Sequence, residues 1–286
     1  MNDMDIKKLL EQMEKNSIRV NYDKQSDAEI PVGCSKIGGK PDLPANFEWF
    51  YYEGESYDDI TQNRPLTFLA QINCEEVKKY DKDSLLPSKG ILYFFYELAT
   101  MTWGFDPKDK GSARVYYYTG EISKLKRTDF PADLSKEYIF PETPVTFSPE
   151  KELPDFEEFL EFHKDFEYNQ WDKYNDEKNK IVDEYDGKTI NKLLGYANLV
   201  QGGMLLNCEK TTHGIYTGDS VEIPDDKLRE YEENCVKWQL LFQLDSFETD
   251  GFEMMWGDVG RIYFYINTDD LMKLNFDNCW LILQCY

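Results

Sequence analysis

The chain has 286 residues, 41% of them apolar, and carries 32 basic against 55 acidic side chains, for a formal charge of −23. A chain of this length buries roughly 75% of its unfolded surface and needs no disulfide or metal staple. Its charge excludes unaided binding to nucleic acid or to an anionic membrane, where each phosphate contact takes a Lys or Arg.

Ile6, Leu9, Leu10 and Met13 form an i, i+3, i+4, i+7 stripe, which predicts a first helix capped by Asp3 or Asp5 and ending near Asn16. A short strand follows at 18–22. Gly38 and Gly39 before Lys40 and Pro41 force a turn, since glycines accept positive φ and proline pushes its predecessor out of the α region. Residues 65–72 read as a buried strand, with Asn73 placed to cap a helix through Tyr80. Further strands are predicted at 91–97 and 113–119, separated by a turn at 106–111. The stretch 140–147 holds two prolines and suits a sheet edge or a connector.

From Pro154 to about Tyr185 the aromatic residues Phe156, Phe159, Phe166, Trp171 and Tyr174 fall near helical spacing, as one long amphipathic helix or two short ones. Residues 150–188 hold 14 acids against 6 lysines, about a third of the whole charge, and read as an acidic connector. Beyond it come a flexible loop at 211–218, a helix at 224–234, and strands at 236–245 and 261–267. Thr268 caps a short helix, and a last strand runs over 279–286. Strands and helices without steady βαβ alternation predict an α+β fold with largely antiparallel sheets.

The chain also repeats itself. Residues 35–43 return at 191–199, 67–73 at 240–246 and 90–96 at 260–266, displaced by 156, 172 (taken between Gln71 and Gln243) and 170 residues. This predicts two repeated lobes: an N-terminal α+β lobe (1–150), the acidic helical connector (151–189) and a C-terminal α+β lobe (190–286). A fourth similarity, 72–79 with 266–273, breaks that order and reads as convergence on a strand, a cap and a helix.

No two of the six cysteines show CxxC spacing, which predicts reduced, buried thiols rather than a redox or zinc site. The N-terminus lacks the charged and apolar regions of a secretory signal. No run approaches the roughly 18 apolar residues of a membrane span, so the expected location is the cytoplasm. His163 and His213 have no spaced partner for a metal or for a nucleophile and base pair, although His213 lies near Cys208. No phosphate-cradling glycine motif is present. Glu157, Glu161 and Asp165 share a helical face, which reads as solvated rather than metal-binding. No cofactor and no metal are expected.

The distinctive polar residues are Gln71, Gln243, Trp256, Asp258, Arg261 and Gln284. A glutamine inside an apolar strand must satisfy both ends of its amide, so it either braces backbone or reaches toward a ligand in a cleft. Asp258 and Arg261 either pin the turn between them or present a fork to an anion.

With these residues in view, the chain resembles the YwqG-like family through its stretches 36–44, 65–72, 86–96, 255–264 and 280–286. The resemblance implies an internally duplicated α+β fold in a bacterial cytoplasm and carries over no catalytic residues. The leading functional expectation is a non-enzymatic binding protein for a basic protein partner. The alternative is an enzyme or small-molecule binder whose cleft lies between the repeats, lined by Gln71, Gln243, Trp256, Asp258, Arg261 and Gln284.

Overall fold

The computed structural model describes residues 3–22, 29–182, 190–249 and 251–286. Among them the chain forms helices α1 (Asp3–Met13), α2 (Cys74–Val77), α3 (Phe156–Phe162), α4 (Trp171–Lys178), α5 (Leu205–Thr212), α6 (Asp225–Asn234) and α7 (Thr268–Met272). The main strands are β1 (Lys15–Tyr22), β2 (Lys36–Ile37), β3 (Thr67–Asn73), β4 (Ile91–Tyr96), β5 (Ala113–Tyr118), β6 (Thr143–Glu152), β7 (Lys192–Leu194), β8 (Trp238–Asp245), β9 (Arg261–Asn267) and β10 (Trp280–Gln284). They build one ten-stranded sheet in the order β10, β9, β8, β7, β1, β6, β2, β3, β4, β5. Every neighbouring pair is antiparallel, so the α+β class with antiparallel pairing is the one the chain adopts.

The sheet crosses the middle of the chain without a break. β1 pairs with β6 over eight residues at its centre, while β1 also pairs with β7 and β6 with β2. Position 150 therefore falls inside β6. This strand also corrects the edge or connector expected at 140–147. Pro144 pairs with Lys36 of β2 beyond the end of β1, and Pro149 pairs with Ile18 of β1 beyond the end of β2. Each proline thus has a strand on one side only, which is the condition under which a missing N–H costs the ladder nothing.

Both faces of the sheet are covered, which explains the uninterrupted apolar runs of β4 and β8. Successive strand side chains point to opposite faces. In β4, Leu92, Phe94 and Tyr96 enter one large core shared with Phe242 and Phe264, where the Phe94 and Phe242 rings lie 4.5 Å apart. Tyr93 and Phe95 face a second cluster with Leu43, Leu66 and Phe68. On the other half, Tyr263, Tyr265, Trp280 and Ile282 pack under α5.

The predicted acidic helix is two short ones, α3 and α4, separated at His163. Their apolar face, Phe156, Phe159 and Tyr174, packs on Ile6 and Leu10 of α1. Asp3 and Asp5, expected to cap the first helix, fall within α1 itself, and residues 183–189 of the expected connector lie outside the described residues. Part of the loop expected at 211–218 is helical, because α5 runs through Thr212. Its start is held from a distance: the Glu161 carboxylate accepts the N–H groups of Leu205 at 3.1 Å and Leu206 at 2.8 Å. Asn73 and Asn267 each end a strand and accept the N–H two residues on, both at 3.0 Å. That shared cap is why 72–79 resembles 266–273, and it places the α7 cap one residue before Thr268. No helix among the described residues is long and apolar enough to cross a membrane.

Candidate binding cleft

Gln71 and Gln243 are fully buried and spend their amides on crossing chain segments. Gln71 accepts the Asp42 N–H at 2.9 Å and donates to the Cys34 carbonyl at 2.8 Å and to Asp42 Oδ2 at 2.7 Å. Gln243 accepts the Asn198 N–H and donates to the Ile190 carbonyl, both at 2.9 Å. Gln284 accepts Val200 N and Gln201 N and donates to the Gly202 carbonyl. Arg261 donates to the Asn198 carbonyl and stands 3.1 Å from Asp245. Gln243, Arg261 and Gln284, on adjacent strands, therefore all serve the segment 198–202. Gln71 serves the other half of the sheet. Trp256 is buried and donates to the Asp245 carbonyl at 2.9 Å, whereas Asp258 is exposed.

Beside Gln71 lies a charge cluster that sequence reading missed. Arg127 reaches Asp42 Oδ1 at 2.7 Å, both Glu142 oxygens at 2.8 and 2.7 Å and the Ile30 carbonyl at 2.9 Å. The buried Lys36 ammonium meets Glu142 at 2.7 Å and the Lys40 carbonyl at 2.6 Å. Burial pulls the Lys36 ammonium below its ordinary pKa against the pull of Glu142 and Asp42. No motif announces this cluster, because its members come from four separate segments.

The cleft itself forms where the two edge strands, β5 and β10, approach. A strap at 103–105, a few residues ahead of β5 in the chain, bonds to β10 and to the segment after α5: the Trp103 carbonyl accepts Leu283 N at 3.1 Å, the Gly104 carbonyl accepts the Trp280 indole at 2.8 Å, and the Phe105 carbonyl accepts Thr217 N at 2.9 Å. Gly104 sits at φ +80°, and a Cβ there would lie 1.9 Å from the Leu281 carbonyl oxygen, so this crossing requires glycine. Beside the strap opens a cavity of about 460 Å³, lined among others by Asp109, Glu209, Trp238, Asp270, Asp277 and Trp280. Lys110, Arg114 and His213 also line it.

Neighbours position Glu209 and Asp270. The Trp238 indole donates to Glu209 Oε2 at 2.8 Å, and His213 Nδ1 lies 2.7 Å from the Glu209 carbonyl oxygen. Asp270 accepts from Asn275 at 2.7 Å and Asn278 at 3.0 Å. Burial, with Asp270 and Asp277 nearby, pushes the Cys279 thiol well above its usual range. Cys208 is buried, and burial raises its thiol well above normal too, which works against the thiolate that a pairing with His213 requires. All six cysteines are free, and four of them are buried.

Asp109 holds the strap by accepting Gly104 N at 2.9 Å. Burial pushes its carboxyl up to about 6, with Asp106 adding to the rise and the N–H groups of Gly104 and Asp106 opposing it. The folded chain then holds this proton more tightly than the unfolded chain, so its contribution to stability is present at low pH. It is lost as pH rises from about 4 to about 6. Asp109→Asn is expected to flatten the thermal stability profile across that window, and parallel profiles for the two proteins would count against it.

Two further cavities, of about 440 and 650 Å³, are lined by residues around Arg64 and Glu97 and around Lys192 and Glu152. Their charges are engaged locally: Arg64 bonds the Gly54 and Ile60 carbonyls, Glu97 accepts Ala99 N and Thr100 N, and Lys192 meets Glu152 at 2.7 Å. None of the three cavities is lined by the six polar residues singled out from the sequence.

A ten-stranded antiparallel sheet with helices packed on it, and an acid-lined cleft beside its two edge strands, defines the protein as a mixed α and β domain. Residues 35–285 match the family described as a domain of unknown function, DUF1963, and the chain belongs to that family. No curated protein matches it.

Proposed function

We propose that the chain is a non-enzymatic binding protein that captures a basic protein partner in the cleft between β5 and β10. One observation carries this reading: four carboxylates, Asp109, Glu209, Asp270 and Asp277, converge with Trp238 and Trp280 on one cavity, against Lys110 and Arg114. Carboxylates beside aromatic rings suit an ammonium or guanidinium group. The net charge of −23 adds a long-range field that draws a basic partner in. A small cationic ligand in the same cleft is the second reading, favoured by a volume that falls within the ordinary range of small-molecule sites.

We read the fold as two exchanged copies of one strand unit, β1–β5 and β6–β10, with the YwqG-like motifs spread over both. Three features support this. Lys36 faces Gln71 as Lys192 faces Gln243. The ladders β3–β4 and β8–β9 each slip by a residue, between Phe68 and Ala70 and between Leu240 and Phe242. The Tyr93 and Tyr263 hydroxyls donate to the carbonyls of Asp42 and Asn198. On this reading the cleft lies at the seam where the last strands of the two copies meet. The free thiols accord with a reducing, cytoplasmic location.

The test is a titration with a lysine- and arginine-rich peptide, followed by tryptophan fluorescence at low and high salt. Binding that weakens with salt is expected, and Asp277→Lys should weaken it by at least about 10-fold, since a like charge placed at an interface costs several kcal/mol and each 1.4 kcal/mol is about tenfold. A peptide that fails to bind at low salt, or binds equally well to Asp277→Lys, would overturn the reading.

A further inference from the structure

The backbone of β5 suggests how a partner would dock. Glu97 N donates to the Ser112 carbonyl at 2.8 Å, which fixes the alternation along the β4–β5 ladder. Residues 112, 114, 116 and 118 turn their main-chain groups toward β4, and Ala113, Val115 and Tyr117 turn theirs away from the sheet. Among the described residues, no hydrogen bond engages the main-chain N–H or C=O of these three on that outer side. The opposite edge is different, since Leu283 N of β10 is already bonded to the strap. Toward the Tyr117 end, Phe276 packs its ring 5.3 Å from that of Tyr117. The open part of the edge is therefore Ala113–Val115, and Ser112, Ala113 and Arg114 line the acidic cavity.

We propose that an extended, lysine- or arginine-bearing segment of the partner adds to the sheet as a strand on β5. This rests on the reading of the cleft as the site for a basic partner. The backbone of the segment bonds the outward N–H and C=O groups of Ala113 and Val115, as in other cases of strand addition. Side chains of an added strand alternate between its two faces, so every second residue is directed into the cavity, where Asp270 and Asp277 meet a cationic side chain. The occupant is basic because the cavity carries four carboxylates against two cations. A second copy of this chain would bring a further −23 of charge to the same place.

The experiment uses the full chain and a short alternating lysine and valine peptide, with two versions of it N-methylated on one edge or on the other. The unmodified peptide is expected to bind and to slow hydrogen exchange at the Ala113 and Val115 amides. Methylation of the pairing edge should weaken binding about 10-fold, the equivalent of one lost hydrogen bond, and methylation of the other edge should leave it nearly unchanged. Equal binding of both methylated peptides, with protection elsewhere in the cleft, would overturn strand addition and leave the acidic cleft standing. Absence of binding by any of the three overturns both. Protection of β5 that depends on protein concentration without peptide would make a second copy the occupant and overturn the proposal.

Discussion

Arg127→Met is expected to destabilise the fold by about 2–4 kcal/mol, somewhat below the range for breaking a fully buried ion pair, because the Arg127 side chain keeps 29% of its surface in solvent. The guanidinium contacts Asp42, Glu142 and the Ile30 carbonyl at once, and Asp42 is fully buried. Without Arg127, two carboxylates are left with the Lys36 ammonium as their nearest cation in the cluster. Methionine fills much of the space but donates no hydrogen bond, so the loss comes from stranded charge rather than from a cavity. Arg127→Lys keeps the charge and gives up the planar fork, and its cost should be smaller. Urea denaturation midpoints of the two variants check the order. A loss below about 1 kcal/mol for Arg127→Met, the ordinary worth of an exposed ion pair, would show that the cluster holds without its central guanidinium.

The second large effect separates the two buried glutamines. Gln71→Glu places a carboxylate where an amide now donates to Asp42 Oδ2 at 2.7 Å, so two acids face each other in a buried site. Gln243→Glu places the same group 3.3 Å from Asn198 Oδ1, and the Asn198 amide is able to turn its NH2 toward it. Gln71→Glu is expected to cost several kcal/mol at neutral pH, since a buried charge without a partner is far dearer than a lost hydrogen bond; Gln243→Glu should cost less. The pH dependence carries the sign. A proton shared between two facing carboxyls is held more tightly in the folded state, so Gln71→Glu regains stability as pH falls and loses it as pH rises. Thermal melts of both variants from acid to neutral pH check this, and indistinguishable profiles would mean that Asp42 and residue 71 move apart.

The elements most legible in the sequence were those whose cause is local. The stripe Ile6, Leu9, Leu10 and Met13 announced α1, Asn73 announced its cap, and Gly38 and Gly39 stand at φ +63° and +66° as their turn required. α5 was missed because the carboxylate that holds its first turn, Glu161, lies in a different helix. The stretch 140–147 reads as an edge or a connector because Pro141 and Pro144 speak against a central strand, and nothing local tells that Pro141 precedes β6 while Pro144 lies beyond the end of β1. The glutamines drew attention correctly as buried amides, with bracing left open as one of two roles. Their hydrogen bonds go to the crossing segments, while the cavity gathered Asp109, Glu209, Trp238 and Asp270, which no spacing had linked.

What the sequence determined by itself was the strand framework and its class, because apolar runs, turn glycines and capping residues act within a few positions of one another. It also set the strongly negative field, which depends on composition alone. The tertiary structure decided which strands became neighbours, with β1 and β6 meeting at the centre and β5 and β10 left at the edges. It therefore decided where an unspent strand edge and four separated carboxylates would meet. Strand order follows from burying both faces of one sheet at once, a condition on the whole chain that no local stretch encodes.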